Sequence, residues 1–122
     1  AVNKFCWQAV MQIPLTVWKT ALNQYRPYLD LDDACRAFLF FLKKETKDAS
    51  IYNVNTSNFT VSEIIQNIRV YIDNLEVELI DSKIMNQLSY NVLNKKVIDL
   101  GFKFEGNLDK GISETINWFR KG

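Results

Sequence analysis

One arginine stands among aromatic residues in the stretch YRPYLDLDD: Arg26 lies between Tyr25 and Pro27, two residues before Tyr28 and ahead of Asp30, Asp32 and Asp33. A guanidinium is planar and permanently charged, and its fork of N–H donors matches two oxygens of one phosphate. Held at the end of a strand, Arg26 would bind an anion. The plainer alternative is a surface arginine paired with Asp30 or Asp32. The adjacent carboxylates Asp32 and Asp33 invite comparison with a proton-sharing dyad. Adjacent residues at a helix start point in different directions, however, and capping accounts for them better.

Other chemistries are thinly represented. The chain has no histidine, which removes imidazole acid–base catalysis. Its two cysteines, Cys6 and Cys35, each fall in an apolar helical stripe and are expected to be small buried hydrophobes. Nothing supports a disulfide, and zinc sites need close Cys and His pairs that the sequence lacks. A net charge of +1, from 15 basic and 14 acidic residues, gives no electrostatic case for a nucleic-acid partner. The longest apolar run, Ala37–Leu42, falls far short of the roughly 20 residues of a membrane span. The opening AVNKFCWQAV lacks the pattern of a secretion signal, so a cytoplasmic location is expected. The glycosylation-type triplets at Asn55 and Asn58 are then chance matches.

A chain of 122 residues with 48% hydrophobic content fits one domain. The apolar spacing of Val2, Phe5, Cys6, Ala9 and Val10 predicts a helix near residues 2–12, closed by Pro14. Pro14–Trp18 is a short strand candidate, residues 19–24 a turn, and YRPYLDL an alternating strand with Pro27 at an edge. Asp30 or Asp32 would cap a helix whose apolar stripe is Ala34, Cys35, Phe38, Phe41 and Leu42. Ile51–Val54 is expected to be a buried strand and NTSNF a polar loop. Thr60 and Glu63 form a capping box for a helix with Val61, Ile64, Ile65, Ile68 and Ile72 on its apolar face. Val77–Ile80 is a further strand, and DSKIMNQLSY a loop ending in a short strand near Ser89–Val92. Asn94 would cap a helix over Lys95–Leu100, closed by Gly101, and Asn107 the last one. Helices alternating with short strands make the fold α/β, or α+β if the chain is a fragment.

In order, PLTVW, RPYLDLDDACRAF, IYNV, TVSEIIQNI, NKKVIDLGFK and NLDKGISETINWFRKG resemble the C-terminal part of NAD-dependent epimerase/dehydratases, the extended short-chain dehydrogenases acting on nucleotide sugars. The resemblance spans nearly the whole chain. It implies that residues 1–122 are a C-terminal substrate-binding domain, with 30–54 returning to the edge of an N-terminal Rossmann sheet. NAD or NADP would serve the parent protein, and this chain alone would bind neither. Its four glycines, at 101, 106, 111 and 122, form no dinucleotide fingerprint, and no tyrosine is followed four residues later by lysine. The chain alone is therefore expected to be inactive.

The same resemblance matches Arg26 to the arginine that contacts the substrate diphosphate, and it lets Tyr28 face substrate. Leu15, Val17 and Trp18 match the strand that lines the nucleotide base, with core packing as the alternative. Phe59 matches an apolar wall position. A second phosphate arginine is missing from DSKIMNQLSY, where Lys83 could supply a less directional charge. The expected partners are a nucleotide sugar and the Rossmann half. The competing reading is a non-catalytic interaction domain that self-associates through apolar surface.

Overall fold

A computed structural model describes residues 1–44, 49–81 and 89–122. In chain order its elements are α1 (Val2–Val10), β1 (Leu15–Trp18), a 3₁₀ turn (Lys19–Ala21), β2 (Tyr25–Tyr28) and α2 (Leu31–Lys43). There follow β3 (Ser57–Thr60), α3 (Val61–Tyr71), β4 (Val77–Ile80), α4 (Lys95–Asp99) and α5 (Leu108–Lys121). The mixed α/β class expected from the sequence is the one observed.

Two cores hold these elements. The larger places Phe5, Cys6 and Ala9 of α1 with Leu15 and Val17 of β1. Val61, Ile64, Ile65 and Ile68 of α3 and Ile112 and Ile116 of α5 complete it, so three helices share one interior with a strand. Burying each of these isoleucines contributes about 1.5–3 kcal/mol. Burial also pushes the Cys6 thiol up to about 11. The smaller core joins Ala37 of α2, Val97 of α4 and Phe102, with Phe40, Phe41, Tyr52, Val54 and Phe104 around them.

The strands form two ribbons. β1 runs parallel to β4, with Leu15 beside Val77 and Trp18 beside Ile80. β2 runs antiparallel to β3, with Arg26 opposite Phe59 and Tyr28 opposite Ser57. Helix boundaries follow local chemistry. α1 closes through a left-handed Gln12 at φ 58°, whose N–H donates to Ala9 O at 3.2 Å, before Pro14 is reached. The Thr60–Glu63 capping box opens α3, and the Asn107 side chain accepts from the Lys110 amide to open α5. Gly101 takes φ +112° after α4, as a C-terminal glycine should.

Several expectations fail for identifiable reasons. Residues 57–59 of NTSNF, expected as loop, lie in strand β3: the ladder to β2 outweighs the weak β-propensity of Ser and Asn. Residues 51–54, expected as a buried strand, form none: among the described residues no strand pairs with them, the Ile51 carbonyl accepts instead from Lys96 Nζ at 3.0 Å, and Ile51 is 84% exposed. YRPYLDL stops as a strand at Tyr28, since Asp30 captures the next amides and Leu31 begins α2. Residues 89–92 are likewise no strand. Asn94 does not cap α4 with its side chain, which donates instead to Asn55 O at 2.7 Å.

Cys35 is exposed, contrary to expectation, and Phe38 and Leu42 of the same stripe are 73% and 82% exposed. α2 is apolar around most of its circumference, and its inner face is the one carrying Asp33, Ala37, Phe40 and Phe41. Lys83 lies outside the described residues. No helix among the described residues is long and apolar enough to cross a membrane.

Candidate anion-binding site on the second ribbon

The β2–β3 register decides which side chains share a face. Arg26 and Phe59 are directly opposite, and Tyr28 is two residues from Arg26, so these three lie on one side of the ribbon. Tyr28 and Phe59 rings pack with centroids 6.2 Å apart, and both rest on the larger core. Burial raises the Tyr28 phenol above its ordinary value, and the nearby Arg26 charge partly counters that.

Arg26 is half-buried and fixed on more than one side. Its Nη1 donates to Tyr25 O at 2.9 Å and its Nη2 to Gln24 Oε1 at 3.2 Å. Its Cζ stands 4.9 Å from the centroid of the Tyr90 ring. Of the two acids considered as its partners, Asp30 works as a helix cap, accepting from the amides of Asp32 and Asp33 at 2.9 and 3.1 Å. Asp32 and Asp33 likewise diverge: Asp32 is exposed and Asp33 fully buried.

Asp33 is the hub beneath the site. Its carboxylate accepts from the amides of Glu105 and Gly106, from the Thr56 hydroxyl, and from Arg36. Burial acts to raise its pKa, but these donors outweigh burial and hold it below the ordinary carboxylate value. Thr56 in turn donates its N–H to Tyr28 O at 2.8 Å, so the hub fixes the end of β2.

The other residues with a candidate role are placed differently. Leu15 and Val17 are buried, so a ligand would meet only their backbone. Trp18 is half-buried on the opposite side of β1 from those two. Sequence spacing does not point to Tyr90, which comes far along the chain with no local pattern linking it to Arg26. Nor does it point to Asn58, whose amide clasps the backbone of Val92: Oδ1 accepts from its N–H at 3.0 Å and Nδ2 donates to its carbonyl at 3.0 Å. The run of asparagines at 53, 55 and 58 is the one signal the sequence offers there. Asn55 is buried, and Asn58 is engaged in this way. Among the described residues no group of three or more Cys, Asp or Glu could hold a metal ion.

This fold is that of the extended short-chain dehydrogenases. UDP-glucose 4-epimerase of Thermus thermophilus, solved with NAD, superposes with a TM-score of 0.82 over 98% of this chain and 39% of that one, at 21% identity. A GalE-like L-threonine dehydrogenase from Cupriavidus necator gives a TM-score of 0.79 over 93% and 39%, at 17% identity. In sequence, dTDP-D-glucose 4,6-dehydratase of Bos taurus is 33% identical in a 108-residue alignment that covers 80% of this chain. By sequence and fold together, the chain is similar to part of an NAD-dependent epimerase/dehydratase. It spans about 30% of the length of that bovine relative. No protein-family model matches the sequence.

Proposed function

We propose that the chain is the nucleotide-sugar-binding lobe, C-terminal in its parent, of an NAD-dependent sugar-nucleotide epimerase or dehydratase. The carrying observation is Arg26, held on the β2–β3 face by Tyr25 O, Gln24 Oε1 and the Tyr90 ring. The fold alone does not select this substrate class, since it also occurs in a protein named as a threonine dehydrogenase. A fixed guanidinium favours a phosphate-bearing ligand, because its donors match phosphate oxygens in pairs. Tyr28 and Phe59 would form the wall beside it, Trp18 with the β1 backbone would face the base, and Lys83 would add a second charge. NAD or NADP, bound by the Rossmann half, would take a hydride from the sugar and later return it. This lobe would supply orientation and anion binding, which set the reacting carbon against the cofactor.

The test is turnover. The full-length polypeptide carrying this sequence, given NAD with UDP-glucose or dTDP-glucose, should form an epimerised or dehydrated sugar, and Arg26→Ala should raise KM. The 122-residue chain alone should transfer no hydride. Turnover by the full polypeptide that is indifferent to Arg26→Ala would contradict the assignment.

One observation favours a second reading, a non-catalytic interaction domain. Leu31 is 77% exposed at the start of α2, and Phe38 and Leu42 further along it are also exposed. In the enzyme reading this face meets the Rossmann half. In the second it meets another protein or another copy of the chain.

A further inference from the structure

We infer that Tyr90 is a positioning residue for Arg26, fixing the guanidinium plane so that the arginine is organised before a diphosphate arrives. The inference rests on the proposed phosphate role of Arg26.

Three observations carry it. The Tyr90 ring lies 4.9 Å from Arg26 Cζ, within the range of an attractive cation–π contact. Both residues are anchored on the same atom: Tyr25 O accepts Arg26 Nη1 at 2.9 Å and the Tyr90 N–H at 3.3 Å. The segment around Tyr90 is fastened on either side. Before it, Ser89 Oγ accepts the Tyr25 N–H at 3.0 Å, and after it, Asn58 clasps both backbone groups of Val92. Asn58 immediately precedes Phe59, which faces Arg26 across the ribbon.

A long flexible arginine loses rotamer freedom when it grips a ligand, and restraint beforehand lowers that cost. The ring restrains the guanidinium plane, and the Tyr25 and Gln24 acceptors restrain rotation within it. Stacking needs the face of the ring, so phenylalanine can replace tyrosine and leucine cannot. Lysine cannot replace the arginine, because a point charge has no plane to hold.

The experiment is a double-mutant cycle on the full-length polypeptide, titrated with UDP and dTDP by calorimetry. Tyr90→Leu should weaken diphosphate binding about three- to tenfold, and Tyr90→Phe should stay within about twofold of wild type. In an Arg26→Ala background, Tyr90→Leu should cost nothing further. If Arg26→Ala weakens binding but Tyr90→Leu does not, the positioning role is overturned while the phosphate role stands. The positioning role is overturned equally if the two losses simply add, or if Tyr90→Phe loses as much as Tyr90→Leu. If Arg26→Ala leaves binding intact, the phosphate role itself fails and the positioning role with it.

Discussion

The hydroxyl of Thr56 donates to the carboxylate of Asp33 at 2.7 Å while accepting from the Asp30 amide at 2.8 Å. One side chain thereby couples the buried hub of α2 to the end of the strand that carries Arg26. Removing the hub carboxylate would leave the Glu105 and Gly106 amides and the Arg36 guanidinium without their buried acceptor. Asp33→Ala should therefore destabilise the fold by about 2–4 kcal/mol, measured by urea unfolding. Substitution of the exposed neighbour, Asp32→Ala, should cost well under half of that.

Stability should also depend on pH through this group. Its folded pKa is depressed below the ordinary 3.8, so the carboxylate contributes its full stabilisation above that value. The contribution declines as pH falls below 3.8 and is gone once pH passes below the depressed folded value. Unfolding free energies of wild type and Asp33→Asn, measured from pH 6 downwards, should converge on the acid side. A gap that stays constant with pH would contradict the assignment of the proton to Asp33.

Much of this architecture is legible in local chemistry. The Thr60–Glu63 box and the Asn107 cap announce α3 and α5, because a cap is a contact between residues three apart. Strand β3 is not legible, because Ser57 and Asn58 become strand only by pairing with a segment some 30 residues earlier. Arg26 is legible by residue type. Its partner Tyr90 is not, since a ring lying 4.9 Å from a guanidinium carbon leaves no spacing pattern. The exposed stripe of α2 misleads for a related reason: an apolar period shows that a face seeks cover, and says nothing of which chain covers it.

Three glycines should respond differently to alanine. At Gly106 a Cβ would sit 2.5 Å from Asp30 Cβ and 2.7 Å from Asp33 Oδ2, so Gly106→Ala should cost about 1–3 kcal/mol. Gly101 holds φ +112° with open space around it, and Gly101→Ala should cost about 1–2 kcal/mol from backbone strain alone. Gly111 lies inside α5 with its nearest neighbour at 3.9 Å, so Gly111→Ala should stabilise by about 0.5–1 kcal/mol. Thermal melts of the three variants check the ordering.

The outward face of α2 should make the 122-residue chain self-associate when it is by itself. Phe38→Lys with Leu42→Lys, at residues 73% and 82% exposed, should shift sedimentation towards monomer without loss of helix content. A wild-type chain that is monomeric across a wide concentration range would show that this face needs no cover.

The most direct test of the central claim is calorimetric titration of UDP and dTDP into the full-length polypeptide, wild type against Arg26→Ala. Charge-assisted bonds to phosphate of about 1.5–3 kcal/mol predict that Arg26→Ala weakens binding roughly ten- to hundredfold, with the melting temperature little changed. Equal affinity of the two proteins for both nucleotides would contradict a phosphate-binding role for Arg26, and with it the assignment of this lobe to nucleotide sugars.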